Sequence, residues 1–400
     1  MRRASHIAAV CVLAAVPAAR AAAQASQAAP LPPRAVAVIR DSVRAVLKRA
    51  YADSAFPGAY AMVGSRNAIY ASMGVGHLDW APSPAPTENT MYDMASLTKV
   101  VGTTTAMMQL YESGAIGLDD PVQKYLPNWV GPHKNLVTVR NLLTHSSGLP
   151  PYKLFYKALK SPAATMAMVY ATPLDTLPGV RMVYSDIGAI LMGEIVRRVS
   201  GDRLDHYLAE HVFRPLGMAS TMFNPPLALL PRIAPTEYEA WRDTLVRGEV
   251  HDENAYELGG VAGHAGLFST AHDLGIFAQM MLNGGTYHGI HVLLPATIAT
   301  FTTVQDSAFS NRALGWEVPD ATNSAGHLMS SHAFGHTGFT GTSIWIDPPR
   351  NLFIILLSNR VDPTRDNKKI YGVRVELADA VGAVVNAAEH GRSGTAKRTP

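Results

Sequence analysis

Three short stretches carry side chains that could do chemistry together. In MASLTKV, Ser96 and Lys99 stand three residues apart, a spacing that puts both on one face of a helix. In VYSDIGAILMGEIV, Tyr184 and Asp186 lie just before an apolar helical pattern. In FGHTGFTGTSIWID, His336, Thr337 and Gly338 lead directly into a strand pattern. Ser96 reads as the N-cap of a helix running to Gly114, which leaves Lys99 where a capping box wants Glu or Gln. A cation there opposes the helix dipole at a cost of roughly 0.3–1 kcal/mol. The dipole and burial both favour the neutral amine, and a neutral amine one turn from a hydroxyl can take its proton. Ser96 then reads as a nucleophile, Lys99 as its general base, and the Ser96 N–H as an oxyanion donor. Each stretch also has an ordinary reading. Ser-x-x-Lys can be a plain cap with a solvated lysine, Asp186 a plain N-cap, and the glycine-rich segment a turn.

The elements that position these residues follow from pattern. Ala35 to Tyr51 is amphipathic, with Val36, Ile39, Val43, Val46, Leu47 and Ala50 on one face. AYAMVGSRNAIYASMGVG is a strand–turn–strand signal around Ser65-Arg66-Asn67. The same signal returns in TSIWID and LFIILLSN around PPRN, and a helix over about 371–388 follows. Val139–Leu143, Ile187–Val199, Leu204–Val212, Leu274–Leu282 and Ala296–Thr303 read as helices. The expected class is α+β: one antiparallel sheet formed by both termini and flanked by helices, with a mostly helical inserted domain. The expected division is a sheet domain over 35–95 plus 325–390 and a helical domain over 96–324, with a disordered tail over 391–400.

The start, MRRASHIAAVCVLAAVPAARAAAQA, has the layout of a secretory signal peptide over 1–25. A linker over 26–34 follows. Cys11 is the only cysteine, and Val10 is large for the residue before a lipidated cysteine, so the mature chain is expected to lack thiols and disulfides. Removing Arg2, Arg3 and Arg20 takes the 34 basic residues to 31, against 31 acidic ones. That balance gives no case for nucleic acid or an anionic membrane as partner. Localisation is expected to be periplasmic or secreted, without membrane insertion after cleavage.

Taken in this order, the three stretches resemble those of the serine hydrolases of the penicillin-binding protein, DD-peptidase and class C β-lactamase group. That group has Ser-x-x-Lys, then Tyr-x-Asn, then Lys- or His-Thr-Gly. VRNLLTHSSGLP (139–150), GGVAGHAGLFSTAHDL (259–274) and GHTGFTGTSIWIDP (335–348) are also similar to stretches of this family. The resemblance implies a β-lactamase/transpeptidase-like fold and a seryl-acyl intermediate on Ser96, with Lys99 as base and Tyr184 carrying a proton toward the leaving group. It implies substrate contacts from Asp186, His336, Thr337 and Gly338, with His336 and Thr337 binding a substrate carboxylate or completing the proton network, and a second oxyanion N–H from Phe339. No cofactor is implied. The substrate would be a small molecule or a peptidoglycan peptide, cleaved by a D-alanyl carboxypeptidase- or β-lactamase-like activity. An esterase on the same scaffold and a non-catalytic peptidoglycan-binding or sensor domain are the alternatives.

Two departures stand out. Asp186 occupies the place of the commoner Asn, and a carboxylate near Lys99 would raise the lysine's pKa. Asp186 therefore either points away as a cap or changes how protons are shared. His336 replaces Lys and is largely uncharged at neutral pH, which leans the expectation toward peptidase or esterase. His251, Asp252, Glu253 and His264 gather in VHDENAYELGGVAGHAG, but their spacing matches no familiar zinc motif. They read as a structural or substrate-side loop.

Overall fold

The computed structural model describes residues 30–158, 161–305, 310 and 312–396. The expected leader and most of the expected linker lie outside the described residues. Helix α1 (Pro33–Ala52) starts on a proline, whose fixed φ suits a first helical position. It buries Ile39, Val43, Val46, Leu47 and Ala50. Strands β1 (Gly58–Gly64) and β2 (Ile69–Gly76) form the expected hairpin. Strand β3 (Tyr92–Asp93) leads to the Ser96 turn.

The backbone from Thr98 to Thr104 winds as a π-helix, and α2 (Thr105–Glu112) continues it. Helices α3 (Val139–Leu143) and α4 (Asp186–Ser200) follow. After β4 (Met222–Phe223) come α5 (Glu253–Glu257), β5 (Leu267–Ser269) and α6 (Ala271–Leu282). The chain closes with β6 (Phe334–Thr337), β7 (Ser343–Asp347), β8 (Leu352–Ser358) and α7 (Ile370–Ala396).

The main sheet has the order β6-β7-β8-β1-β2, with every pairing antiparallel. Both ends of the chain therefore build it, as the terminal strand signals predict. Its central strands β1 and β8 are buried along their whole length, which explains why LFIILLS is apolar throughout rather than alternating. Ala59, Ala61, Val63, Ile354 and Leu356 pack toward α1 and α7. Tyr60, Met62, Phe353, Ile355 and Leu357 face the opposite way, into the larger core shared with α6 and the helical region.

Helix α7 runs to Ala396, into the span 391–400 expected to be a disordered tail, and the rest of that span lies outside the described residues. One expectation at the end of an element is corrected: Ser96 is not an N-cap, since it makes no side-chain cap and the helix after it starts on a π turn. Such turns are rare and cluster at functional sites. All seven residues from Thr98 to Thr104 are buried, so Lys99 lies inside the protein rather than on an exposed helix end.

Candidate active site

The Ser96 turn is built from a buried acid upward. Asp93 ends β3, which pairs with β5 in a small three-stranded sheet that no sequence pattern indicates. One oxygen of its carboxylate accepts from the Ala95 N–H at 2.7 Å, and the other from the His251 N–H at 2.7 Å. These bonds hold Ala95 at φ 44, a left-handed conformation that costs an L-residue roughly 1–2 kcal/mol. Ser96 follows at the tip. Its backbone N–H and that of Phe339 have no hydrogen-bond partner among the described residues.

Lys99 Nζ lies 2.9 Å from Ser96 Oγ, 3.1 Å from the His264 carbonyl and 2.7 Å from Asp186 Oδ1. The last contact settles the two ways of reading Asp186. Ser185, not Asp186, caps α4, accepting from the Gly188 N–H. Asp186 is the first helical residue, where a negative charge suits the dipole, and its carboxylate turns to the lysine. The expectation of a neutral resting amine is therefore corrected. Burial is the largest influence and pushes the Lys99 pKa down, but the Asp186 carboxylate and the Tyr184 hydroxyl together outweigh it and hold the pKa above the ordinary lysine value. Lys99 rests as an ammonium.

Tyr184 closes the triangle, its hydroxyl in hydrogen-bond contact with Lys99 and Ser96. Burial raises its pKa, so it rests as a phenol. Its ring is held on several sides. Lys99 Nζ stands 4.9 Å and Arg312 Cζ 5.0 Å from the ring centre. The imidazoles of His145 and His336 lie at 4.5 and 5.8 Å. His145 also accepts the Ser185 N–H on Nδ1, which fixes the peptide between Tyr184 and the α4 cap. No role for His145 or Arg312 follows from sequence alone. The polar run Thr144–Ser147 directly after the apolar turn of α3 is the signal that would have pointed to His145.

A cavity of about 330 Å³ opens on this group, lined by Ser96, Tyr184, Asp186, Tyr152, Phe339 and Arg365 among others. A larger hollow, about 610 Å³, lies between Tyr170 and Arg203, but its wall holds no serine, lysine or histidine. The third expected motif is only partly at the active cavity. Gly338 and Phe339 lead the turn beside Met94, and a Cβ on Gly338 would meet Thr342 Oγ1 at 2.1 Å and the Met94 carbonyl at 2.4 Å. His336 is buried, hydrogen-bonded through Nδ1 to the Thr337 carbonyl at 2.8 Å. Burial pushes its pKa down to about 4, so it is neutral and offers no charge to a carboxylate. Thr337 lines a neighbouring cavity, with Glu317, Tyr371 and Arg374.

The residues of 251–264 separate into two pairs. His264 Nε2 meets Asp252 Oδ1 at 2.7 Å, and the same carboxylate caps α5 through the Ala255 N–H. His251 Nε2 meets Glu237 Oε2 at 2.8 Å. Glu237, Glu239 and His251 do come together, but Arg365 Nε is 2.6 Å from Glu237 and Arg242 Nε 2.8 Å from Glu239. Two guanidinium groups thus already balance the carboxylates. All four residues of the loop line the active cavity, which fits its reading as a substrate-side wall.

The profile of the family described as Beta-lactamase matches residues 43–379. A protein of Escherichia coli (strain K12) named "Putative D-alanyl-D-alanine carboxypeptidase" is 39% identical over 316 residues, covering 71% of this chain and 72% of its own. Among solved structures, a penicillin-binding protein homologue from Caulobacter crescentus aligns with a TM-score of 0.70 and 20% identity, over 89% of this chain and 99% of its own. EstCE1, described as a hydrolase with promiscuous acyltransferase activity, aligns with a TM-score of 0.70 and 19% identity, over 87% of this chain and 100% of its own.

Proposed function

The chain belongs to the β-lactamase family, and from that premise we propose that it is an exported serine hydrolase working through a seryl ester on Ser96, with D-alanyl peptides as its substrates. The observation that carries this reading is Lys99 Nζ at 2.9 Å from Ser96 Oγ, inside the protein and beside a phenolic Tyr184. In the reactive form Lys99 has given up its proton and accepts that of Ser96 as Oγ attacks the carbonyl carbon. The oxyanion develops against the N–H groups of Ser96 and Phe339. Tyr184 gives its proton to the departing amine and takes the one that Lys99 received from Ser96, and water then cleaves the ester, giving its proton through Lys99 and Tyr184 back to Ser96 Oγ. Asp186 sets how much of the reactive form exists. Export is supported by the Met1–Ala25 pattern, and the peptide substrate by the carboxypeptidase name of the 39% identical relative.

A second reading, an esterase at the same serine, is favoured by one observation. His336 is buried and neutral, so the usual cationic anchor for a substrate carboxylate is missing, while Tyr152, Leu154, Tyr156 and Phe339 give the cavity an apolar wall. Intact-protein mass spectra and rates with a D-Ala-D-Ala peptide, a cephalosporin and a short-chain ester separate the two. A Ser96 adduct and turnover of the peptide support the first reading, and turnover of the ester alone supports the second. A folded protein that neither a fluorescent penicillin nor a fluorophosphonate labels refutes both.

A further inference from the structure

A buried cation with no acid against it stands behind the cavity. Arg374, on α7, is 4% exposed, and burial pushes its pKa down to about 10, which still leaves it charged at neutral pH. It forms no ion pair with a described residue, Glu317 being near enough only to act through space, and its Nε has no hydrogen-bond partner. Burying a guanidinium without a counter-ion is costly. Its Nη2 spends that cost on two carbonyls, donating to Gly338 O and Thr342 O at 2.7 Å each.

The geometry of the peptide unit shows what these bonds accomplish. In a trans peptide the C=O and the next N–H point in opposite directions. Holding the Gly338 carbonyl back toward α7 therefore turns the Phe339 N–H forward, away from the arginine. The neighbouring peptide is held as well, since Arg360 Nε donates to the Phe339 carbonyl at 2.8 Å and its guanidinium lies 4.4 Å over the Phe339 ring. Thr340 and Thr342 donate their hydroxyls to the carbonyls of Asp93 and Met94, at 2.7 and 3.0 Å. Those carbonyls belong to the turn that presents Ser96. The two free N–H groups are thus fixed relative to one another. A charged donor on the Gly338 carbonyl also polarises that peptide and strengthens its N–H as a donor.

We propose that Arg374 is the positioning residue of the oxyanion hole, acting on the Phe339 N–H through the Gly338–Phe339 peptide. This rests on acyl transfer at Ser96. The test uses the full chain with Arg374→Met and Arg374→Gln. It reads kcat and KM on a p-nitrophenyl ester, the Ki of a phenylboronic acid that forms a tetrahedral adduct with Ser96, and the melting temperature. Loss of one oxyanion donor typically lowers kcat by about 10²–10³, and a misaimed donor should lose roughly 10–100-fold. Arg374→Met should show that loss in kcat, a matching rise in boronate Ki, and KM within about twofold of the parent. Its melting temperature should not fall in proportion, because an unpaired buried charge has been removed. Arg374→Gln keeps one neutral donor and should fall between. Unchanged kcat and boronate Ki in either folded variant overturn the proposal, and so does a loss that appears only in KM and melting. If Arg374→Met does not fold, Arg374→Gln decides by the same two ratios. A wild-type protein whose Ser96 takes no acyl group fails differently: it removes the acyl-transfer reading itself.

Discussion

Replacing Asp186 by Asn takes a negative charge away from a lysine ammonium 2.7 Å from it while keeping a carbonyl oxygen that can still accept the ammonium proton. Two opposite unit charges about 4 Å apart attract by about 4 kcal/mol at an effective dielectric near 20. The Asp186 side chain is 20% exposed, so solvent trims this, and the Lys99 pKa should fall when the charge is removed. The parent Lys99 titrates above its ordinary value. Its neutral form therefore becomes the majority only in alkaline solution, and the acylation rate should climb with pH across the neutral and mildly alkaline range. In Asp186→Asn the climb should begin at lower pH. At pH 7 the neutral fraction rises, and the weaker basicity of the amine returns part of that, leaving a net gain in labelling rate over the parent. The assay is the rate of fluorophosphonate labelling between pH 6 and 10, with Ser96→Ala as blank. An unmoved profile would refute the coupling of Asp186 to Lys99. A folded Asp186→Asn protein that is dead at every pH would refute it another way, by making the carboxylate itself the proton acceptor.

Lys99→Met keeps most of the buried stem but leaves Asp186 without its cation. It should abolish labelling and cost up to about 3–5 kcal/mol in urea unfolding, trimmed by solvent at the 20% exposed Asp186, and a stability equal to the parent's would show that the pair contributes nothing. Because the pair raises the Lys99 pKa, its stabilisation is complete below about pH 10.4, the unfolded value, and is lost as pH rises through the folded value. Parent and Lys99→Met melting temperatures should therefore converge in strong alkali. His336 has the opposite sign. Its depressed pKa, about 4, gives stability that is present above about pH 6.5 and lost as pH falls toward 4, up to roughly 3 kcal/mol. His336→Asn should flatten the acid side of the melting curve, and equal slopes in the two proteins would contradict the assignment. Tyr184→Phe should slow cleavage of an amide by roughly 10²–10⁴ and of an activated ester far less, since only the amine needs a proton to leave. Equal losses on both would remove Tyr184 as the acid.

Much of this architecture was written in local pattern. The 3.6-residue spacing of Ile39, Val43, Val46 and Ala50 set α1, and the paired apolar runs around Arg66 and around Pro348–Asn351 set the two hairpins of the sheet. The grouping of Ser96, Lys99 and Tyr184 was legible from the one-turn spacing of Ser96 and Lys99 and from the order of the three motifs along the chain. The small sheet of β3, β4 and β5 was not, because its strands are two or three residues long and too short to show a period. Nor was the strain at Ala95, which depends on an acid two residues back and on a histidine N–H 158 positions away.

Sequence alone established which side chains were available: a hydroxyl, an amine, a phenol and an unusual carboxylate in a fixed order along the chain. Only the folded structure decided the charge each one carries. The Lys99 proton depends on the balance between burial on one side and the carboxylate 2.7 Å away and the Tyr184 hydroxyl on the other, and the neutrality of His336 depends on the loss of water around it. Both are set by distance and solvent exclusion in three dimensions, quantities that a one-dimensional order of residues does not contain.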